Sequence, residues 1–284
     1  GTLMFVVQPA EEGVRGAKAM MEDGLYQRFG KPDYALAFHV AADLETGKVS
    51  ASEGIQYSSS DSLDIMVPGI GTHGAAPHLG RDPVYIASQI VTALQSIDSR
   101  EISPVKPVVV TVGSFHAGSK HNIISDEARL QVTVRANDEA TREQVIATGE
   151  RIAVNIGKAH GLPDNLPVKV LRGSGTPTTI NDPALARRLN GALGKALGAG
   201  AVVPFQQQNM GAEDFTYFVG PDTGVPGYYF AVGGTTPERI AAAKAGGPPI
   251  AGHHSPLFQI APRESVTLGA RAMVAAVMDL AGKK

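Results

Sequence analysis

Four short stretches of this 284-residue chain hold carboxylates and imidazoles that could do chemistry. The first is Gln8-Pro9-Ala10-Glu11-Glu12, two adjacent carboxylates that follow an apolar run. His39 closes a second apolar run further on. A carboxylate and an imidazole from neighbouring strand ends can converge on one cation. The other carboxylate is then free to take a proton from a metal-activated water, which is the chemistry of metal-assisted hydrolysis. A salt-bridged glutamate pair with a capped core histidine accounts for the same residues, and the pattern alone leaves both readings open.

The second stretch is Gly252-His253-His254-Ser255-Pro256, where one histidine could add a third ligand. Adjacent side chains diverge, so no more than one of the two should point at a metal; the plainer alternative is a surface histidine pair. The third, Gly69 to His78, is a glycine-rich turn that presents His73. Its GxG is weak as a phosphate loop, because no helix start follows at once to cradle an anion. Asn122 is a similarly placed polar group in a loop between two strands, and local hydrogen bonding would explain either residue. The fourth, Gly211-Ala212-Glu213-Asp214-Phe215, sets two acids beside a helix start, where they could simply complement the helix dipole.

The elements that must position these groups can be read from periodicity and punctuation. Residues 2–8 predict a buried strand ended by Pro9, and a helix is expected over 13–22 with Gly24 as its stop. Pro32 and Asp33 introduce a strand over 34–40. Strand, helix and strand at this spacing predict a βαβ unit with two parallel strands. Glu11 and His39 then fall at the carboxyl ends of those strands, the edge where open α/β sheets place their sites. Gly1 stands directly against the first apolar run with no polar leader, so further residues are expected upstream in the parent protein.

From Ser58 the pattern changes. Strands are predicted at 62–67, 108–115, 128–134 and 168–171, with helices from Asp82-Pro83 and over 139–160. Asp82 is a good N-cap and Pro83 a good first helical residue. The order βαββαβ is the split-βαβ, ferredoxin-like arrangement. The fold class expected is therefore α/β: a mostly parallel-sheet domain over 1–57 and 172–284, interrupted by a ferredoxin-like insertion over 58–171. In the last part, Asn181-Asp182-Pro183 caps a helix to about Leu197. A strand covers 227–232, a Gly/Ala/Pro-rich loop spans 233–252, and a helix over 263–280 follows.

Bulk properties narrow the function. With 43% hydrophobic and 18% charged residues the chain is globular. A formal charge of −2 offers no field to hold phosphates, so nucleic acid is not expected as a partner. There is no cysteine, hence no disulfide framework and no thiolate metal site, and the redox compartment stays undecided. No apolar run approaches the roughly 18 residues that would span a bilayer, so no membrane partner is expected.

The segments FVVQPAEEG (5–13), ALAFHV (35–40), GTHGAAPHLGRDP (71–83), HNIISDEARLQVTVR (121–135), NMGAEDF (209–215) and HHSPLF (253–258) occur in one order along nearly the whole chain. As an ordered set they resemble the M20 family of metallopeptidases. The likeness is greatest to its N-acyl-amino-acid amidohydrolases, of the hippurate hydrolase and indole-acetyl-amino-acid hydrolase type. The resemblance implies a zinc-peptidase-like catalytic domain with a lid/dimerisation insertion. It implies Glu11 as general base and Glu12, His39 and His254 as metal ligands, with His253 a neighbour. It also implies His73 and Asn122 as substrate-contacting residues of the lid, and Glu213 as an acid near the metal site. In dimeric relatives the counterpart of His73 can serve the partner subunit's active site.

The cofactor implied is one or two divalent ions, Mn²⁺, Zn²⁺, Co²⁺ or Ni²⁺. The partners implied are an N-acyl amino acid or dipeptide substrate and a second copy of the chain, joined through the lid domain. A dipeptidase or carboxypeptidase using the same machinery is the alternative within the class. A non-catalytic remnant that self-associates through the lid is the alternative outside it. The branch also carries a Cys-Gly-His-Asp type motif upstream of Pro-Ala-Glu-Glu, with two further ligands and an orienting Asp. Nothing equivalent stands in this sequence, so weak metal binding and little activity are expected of these 284 residues alone. Without upstream neighbours, residues 2–8 are expected to expose apolar surface.

Overall fold

A computed structural model describes residues 1–282. Its principal elements, in chain order, are α1 (Gly16–Glu22), β1 (Ala35–Glu45), β2 (Val49–Ser50), β3 (Ser60–Pro68), α2 (Pro83–Leu94), β4 (Val108–Ala117), β5 (Glu127–Ala136), α3 (Glu139–Ala159), β6 (Lys169–Thr176), α4 (Pro183–Leu197), β7 (Val202–Val203), β8 (Gly227–Thr235) and α5 (Pro262–Ala281). The chain divides into two compact units. One comprises Gly1–Gln56, Thr179–Gln208 and Asp214–Lys284; the other comprises Tyr57–Thr178 and Asn209–Glu213.

The first unit is built on a four-stranded sheet in the order β1-β8-β2-β7. The β1/β8 and β2/β7 pairs are parallel and β8/β2 is antiparallel, so the sheet is mostly parallel as expected. Every residue of β8 is buried, as a central strand covered on both faces requires. Asp182 caps α4 by accepting from the Leu185 amide, with Pro183 at the first helical position. The apolar stripe of α4 (Leu185, Leu189, Leu193) and that of α5 (Leu268, Ala272, Ala276) pack with Tyr228 and Phe230 of β8. Phe38 of β1 stacks on Phe230 at 5.2 Å. A Cβ on Gly269 of α5 would lie 2.7 Å from that Phe38 ring, so the helix can lie close only because this residue is glycine. Side chains alternate across a strand, so His39 next to Phe38 faces away from α5.

The expected strand over residues 2–8 does not form, and neither does the βαβ unit that depended on it. Among the described residues nothing pairs with this segment. Leu3, Phe5 and Val7 are 53%, 84% and 89% exposed, matching the expectation of bare apolar surface. β-propensity supplies a preference, but a ladder partner is what makes a strand. The expected helix over 13–22 is confined to α1, because residues 11–13 form a single 3₁₀ turn. A helix, Pro237–Lys244, also stands within the expected loop over 233–252.

The second unit is the ferredoxin-like arrangement. Its sheet order is β4-β5-β3-β6 and all three pairs are antiparallel. β3 alternates buried and half-buried residues, with Asp61, Leu63, Ile65 and Val67 turned inward. Ile86, Ile90 and Leu94 of α2, with Val145 and Ala153 of α3, close the core over that face. Asp82 accepts from the Val84 and Tyr85 amides and fixes the start of α2.

Candidate metal and hydrolytic site

Glu11 and Glu12 lie on a closed loop in the first unit. Glu11 and Glu12 form the 3₁₀ turn, in which the Gly13 and Val14 amides donate to the carbonyls of Ala10 and Glu11 at 3.2 and 2.6 Å. The turn is flanked by Ala10 and Val14, both in the left-handed region at φ 55° and 53°. For a β-branched residue such as Val14 that conformation is a true outlier, and such residues cost on the order of 1–3 kcal/mol each. They persist only where the surroundings over-determine them. The neck of the loop is tight: a Cβ on Gly16 would overlap the Pro9 carbonyl. Below the neck, buried Asp214 accepts from Gln8 Nε2 at 2.5 Å and from the Ala17 amide at 3.1 Å. Glu11 and Asp214 bring carboxylate oxygens within 4.8 Å of each other. Glu213, the preceding residue in the chain, is 8% exposed.

The histidines of the same unit are sorted by their hydrogen bonds. His39 lies on β1 in register with Ala231, and its Nδ1 is 2.6 Å from the Val40 carbonyl. A carbonyl only accepts, so Nδ1 carries the proton and Nε2 keeps its lone pair. That is the orientation an imidazole ligand needs, its other N–H fixed by an oxygen. The His253 ring lies tilted against that of His39, 5.0 Å between centroids, and its Nε2 accepts the Ala42 amide at 3.2 Å. Its proton therefore sits on Nδ1 and the ring has no lone pair to give. Burial, followed by neighbouring His39, holds the His253 pKa below the ordinary histidine value and favours this neutral form.

His254 adopts φ 64°, so its ring parts from that of His253. Its Nε2 lies 3.7 Å from Glu12 Oε2, with the two side chains 74% and 78% exposed. The first unit thus brings together Glu12 with His254, and His39 with His253. Among the described residues Glu12, His39 and His254 do not gather their ligand atoms within 4.8 Å as one set. Glu12 and His254, being exposed, can re-aim their side chains.

In the second unit, His73 and Asn122 are neighbours. Thr72–His73 pairs with Ile123–Ile124, and the Gly74 amide donates to the Asn122 carbonyl at 2.7 Å. A Cβ on Gly74 would meet that Asn122 backbone at 3.0 Å, so the turn needs glycine there. His73 Nδ1 accepts from the Ala75 amide at 3.0 Å, which leaves an exposed Nε2–H as donor. The sequence singled out Asp214 only as one of two acids beside a helix start, with no role of its own. The aromatic turn Asp214–Phe218 is largely buried and takes the acid inside with it.

The donors present are of the kinds a divalent cation takes. Carboxylate and neutral imidazole suit zinc and its first-row neighbours, and His39 is already oriented by a carbonyl.

Comparison with known proteins agrees. Residues 58–160 match the peptidase dimerisation domain of the M20 family. The chain is 37% identical to hippurate hydrolase of Campylobacter jejuni over 218 residues, covering 77% of this chain and 56% of that protein. It is 34% identical to thermostable carboxypeptidase 1 of Saccharolobus solfataricus over 235 residues, covering 82% and 56%. It thus spans about half the length of these relatives. Among solved structures, the YXEP protein of Bacillus subtilis, a dinuclear metal binding peptidase from the M20 family, superposes with a TM-score of 0.71. That match has 24% identity and covers 96% of this chain and 64% of that one, a likeness of fold. The second unit thus carries the M20 dimerisation domain, and most of the chain is similar to the relatives named above.

Proposed function

We propose that this chain carries the catalytic base and part of the metal-binding set of an amidohydrolase acting on N-acyl amino acids. The observation that supports this best is the orientation of His39, whose Nδ1–H is spent on a carbonyl so that Nε2 keeps a lone pair. Glu12, His39 and His254 would hold one or two divalent ions (Mn²⁺, Zn²⁺, Co²⁺ or Ni²⁺). When bound, such an ion polarises the scissile carbonyl and lowers the pKa of water toward ~7. Glu11 accepts the proton of the attacking water and returns it to the leaving amine. His73 donates its Nε2–H to the developing oxyanion, and Asn122 contacts substrate beside it. The second unit serves as the surface through which two copies associate.

An N-acyl amino acid is favoured as substrate because hippurate hydrolase is 37% identical to this chain. Dipeptide hydrolysis is the second reading, supported by the 34% identity to a carboxypeptidase. The test is hydrolysis of an N-benzoyl amino acid and of a dipeptide by the purified protein, after chelation and again after adding back each metal. The expected result for these 284 residues is weak turnover, lost on chelation and restored by metal, with the acylated amino acid preferred. Turnover that survives chelation would overturn the proposal.

A further inference from the structure

We infer that Asp214 is a positioning residue that clamps the neck of the Glu11–Glu12 loop; its catalytic consequence rests on the hydrolytic reading above. The carboxylate is fully buried, at 0% exposed. One oxygen takes Gln8 Nε2 and the other takes the Ala17 amide. A single side chain, about 200 residues away in sequence, therefore holds both ends of the segment 8–17. Between those ends the backbone makes two left-handed residues, Ala10 and Val14, and doubles back until Gly16 lies under the Pro9 carbonyl. A free segment has no reason to hold that shape. Two donors converge on Asp214, so the position needs two acceptors. An asparagine would turn its own NH₂ toward one of the donors.

The clamp matters for chemistry because Glu11 rides on the loop it closes. A base displaced by about 1 Å can lose about a hundredfold in rate while substrate binding is little changed. Asp214 need not touch substrate for this, and its effect should appear in kcat and not in KM.

The experiment compares wild type, Asp214→Asn and Gln8→Ala by amide hydrogen exchange and by hydrolysis of an N-benzoyl amino acid. Gln8 is only half-buried, so its variant is informative even if Asp214→Asn fails to fold. The expected result is exchange at Val14 and Ala17 that is at least about tenfold faster in either variant, with β5 amides unchanged. The kcat of Asp214→Asn should fall about 10- to 100-fold, with KM within about twofold. Unchanged exchange in the loop would overturn the clamp, as would acceleration spread equally over β5. Faster loop exchange with an unaltered kcat would overturn its catalytic consequence. A wild type that does not hydrolyse the substrate would overturn the functional reading instead, and exchange would still decide whether Asp214 holds the loop.

Discussion

Asp61 in the second unit and Asp214 in the first are both closed off from solvent, and their charges are satisfied in opposite ways. Asp61 meets cations. Arg142 grips it through Nε and Nη2 at 2.7 and 2.9 Å, and Arg172 adds Nε at 3.0 Å. Burial alone would pull the Arg142 pKa down, but its hydrogen bonds to Asp61 and Glu139 outweigh that and hold it above the ordinary arginine value. The result ties β3, α3 and β6 together with charge cancelled in place. Asp214 accepts from an amide side chain and a backbone N–H, both neutral, and a second carboxylate, Glu11, stands close by. A cancelled charge makes a brace. A charge held by neutral dipoles beside another acid fixes where a loop sits and leaves its chemistry available.

Breaking the brace should have the largest effect. Asp61→Ala takes away the buried anion and leaves Arg142 only the half-exposed Glu139, and removing one partner of a buried pair costs about 3–5 kcal/mol. Urea denaturation of the variant should show that loss in the second unit; a change under about 1 kcal/mol would mean the pair is no brace. Next in size is Gly16→Ala, which places a methyl group into the Pro9 carbonyl. A forced fit of this kind costs roughly 1–3 kcal/mol. It should lower the thermal midpoint and loosen residues 9–17, whereas a fully tolerated alanine would show that the neck is open.

The smallest effect should come from a half-exposed carboxylate of the braced unit. Asp138 caps α3 by accepting from the Thr141 amide at 2.8 Å. Burial works against its ionised form, but hydrogen bonds from Thr141 and Lys106 prevail and hold its pKa below the usual carboxylate range. A lowered folded-state pKa contributes stability above the unfolded value, lost as pH falls through the folded one. Asp138→Ala should therefore cost about 0.5–1 kcal/mol at neutral pH, at the low end because the side chain is solvated. The difference from wild type should shrink as pH falls through that lowered folded-state pKa.

Much of this fold was legible because its signals are local. Asp82-Pro83 and Asp182-Pro183 mark helix starts within a few residues of their effect. The alternation in β3 shows which face is buried. The Pro237–Lys244 helix was hidden by a Gly/Ala/Pro-rich composition, although Thr236-Pro237 is an ordinary cap-and-start pair. Residues 2–8 misled for the opposite reason: their composition favours a strand, but a ladder partner lies outside any local window. The site divides in the same way. His39 stands out by type and by its place on a strand, Glu11 and Glu12 by type, and only the family resemblance chose His254 over His253. Asp214 could not be assigned, since its partners Gln8 and Ala17 are brought to it only by the folded chain.

The most direct test of the account is Glu11→Gln in the purified protein, with metal content and turnover measured on the same sample. The substitution keeps the shape of the side chain and removes its ability to take a proton. Metal content should match wild type while kcat for an N-benzoyl amino acid falls about 10²- to 10⁴-fold. Turnover like that of wild type would contradict the assignment of Glu11 as the base. Loss of the metal together with activity would place Glu11 among the ligands instead.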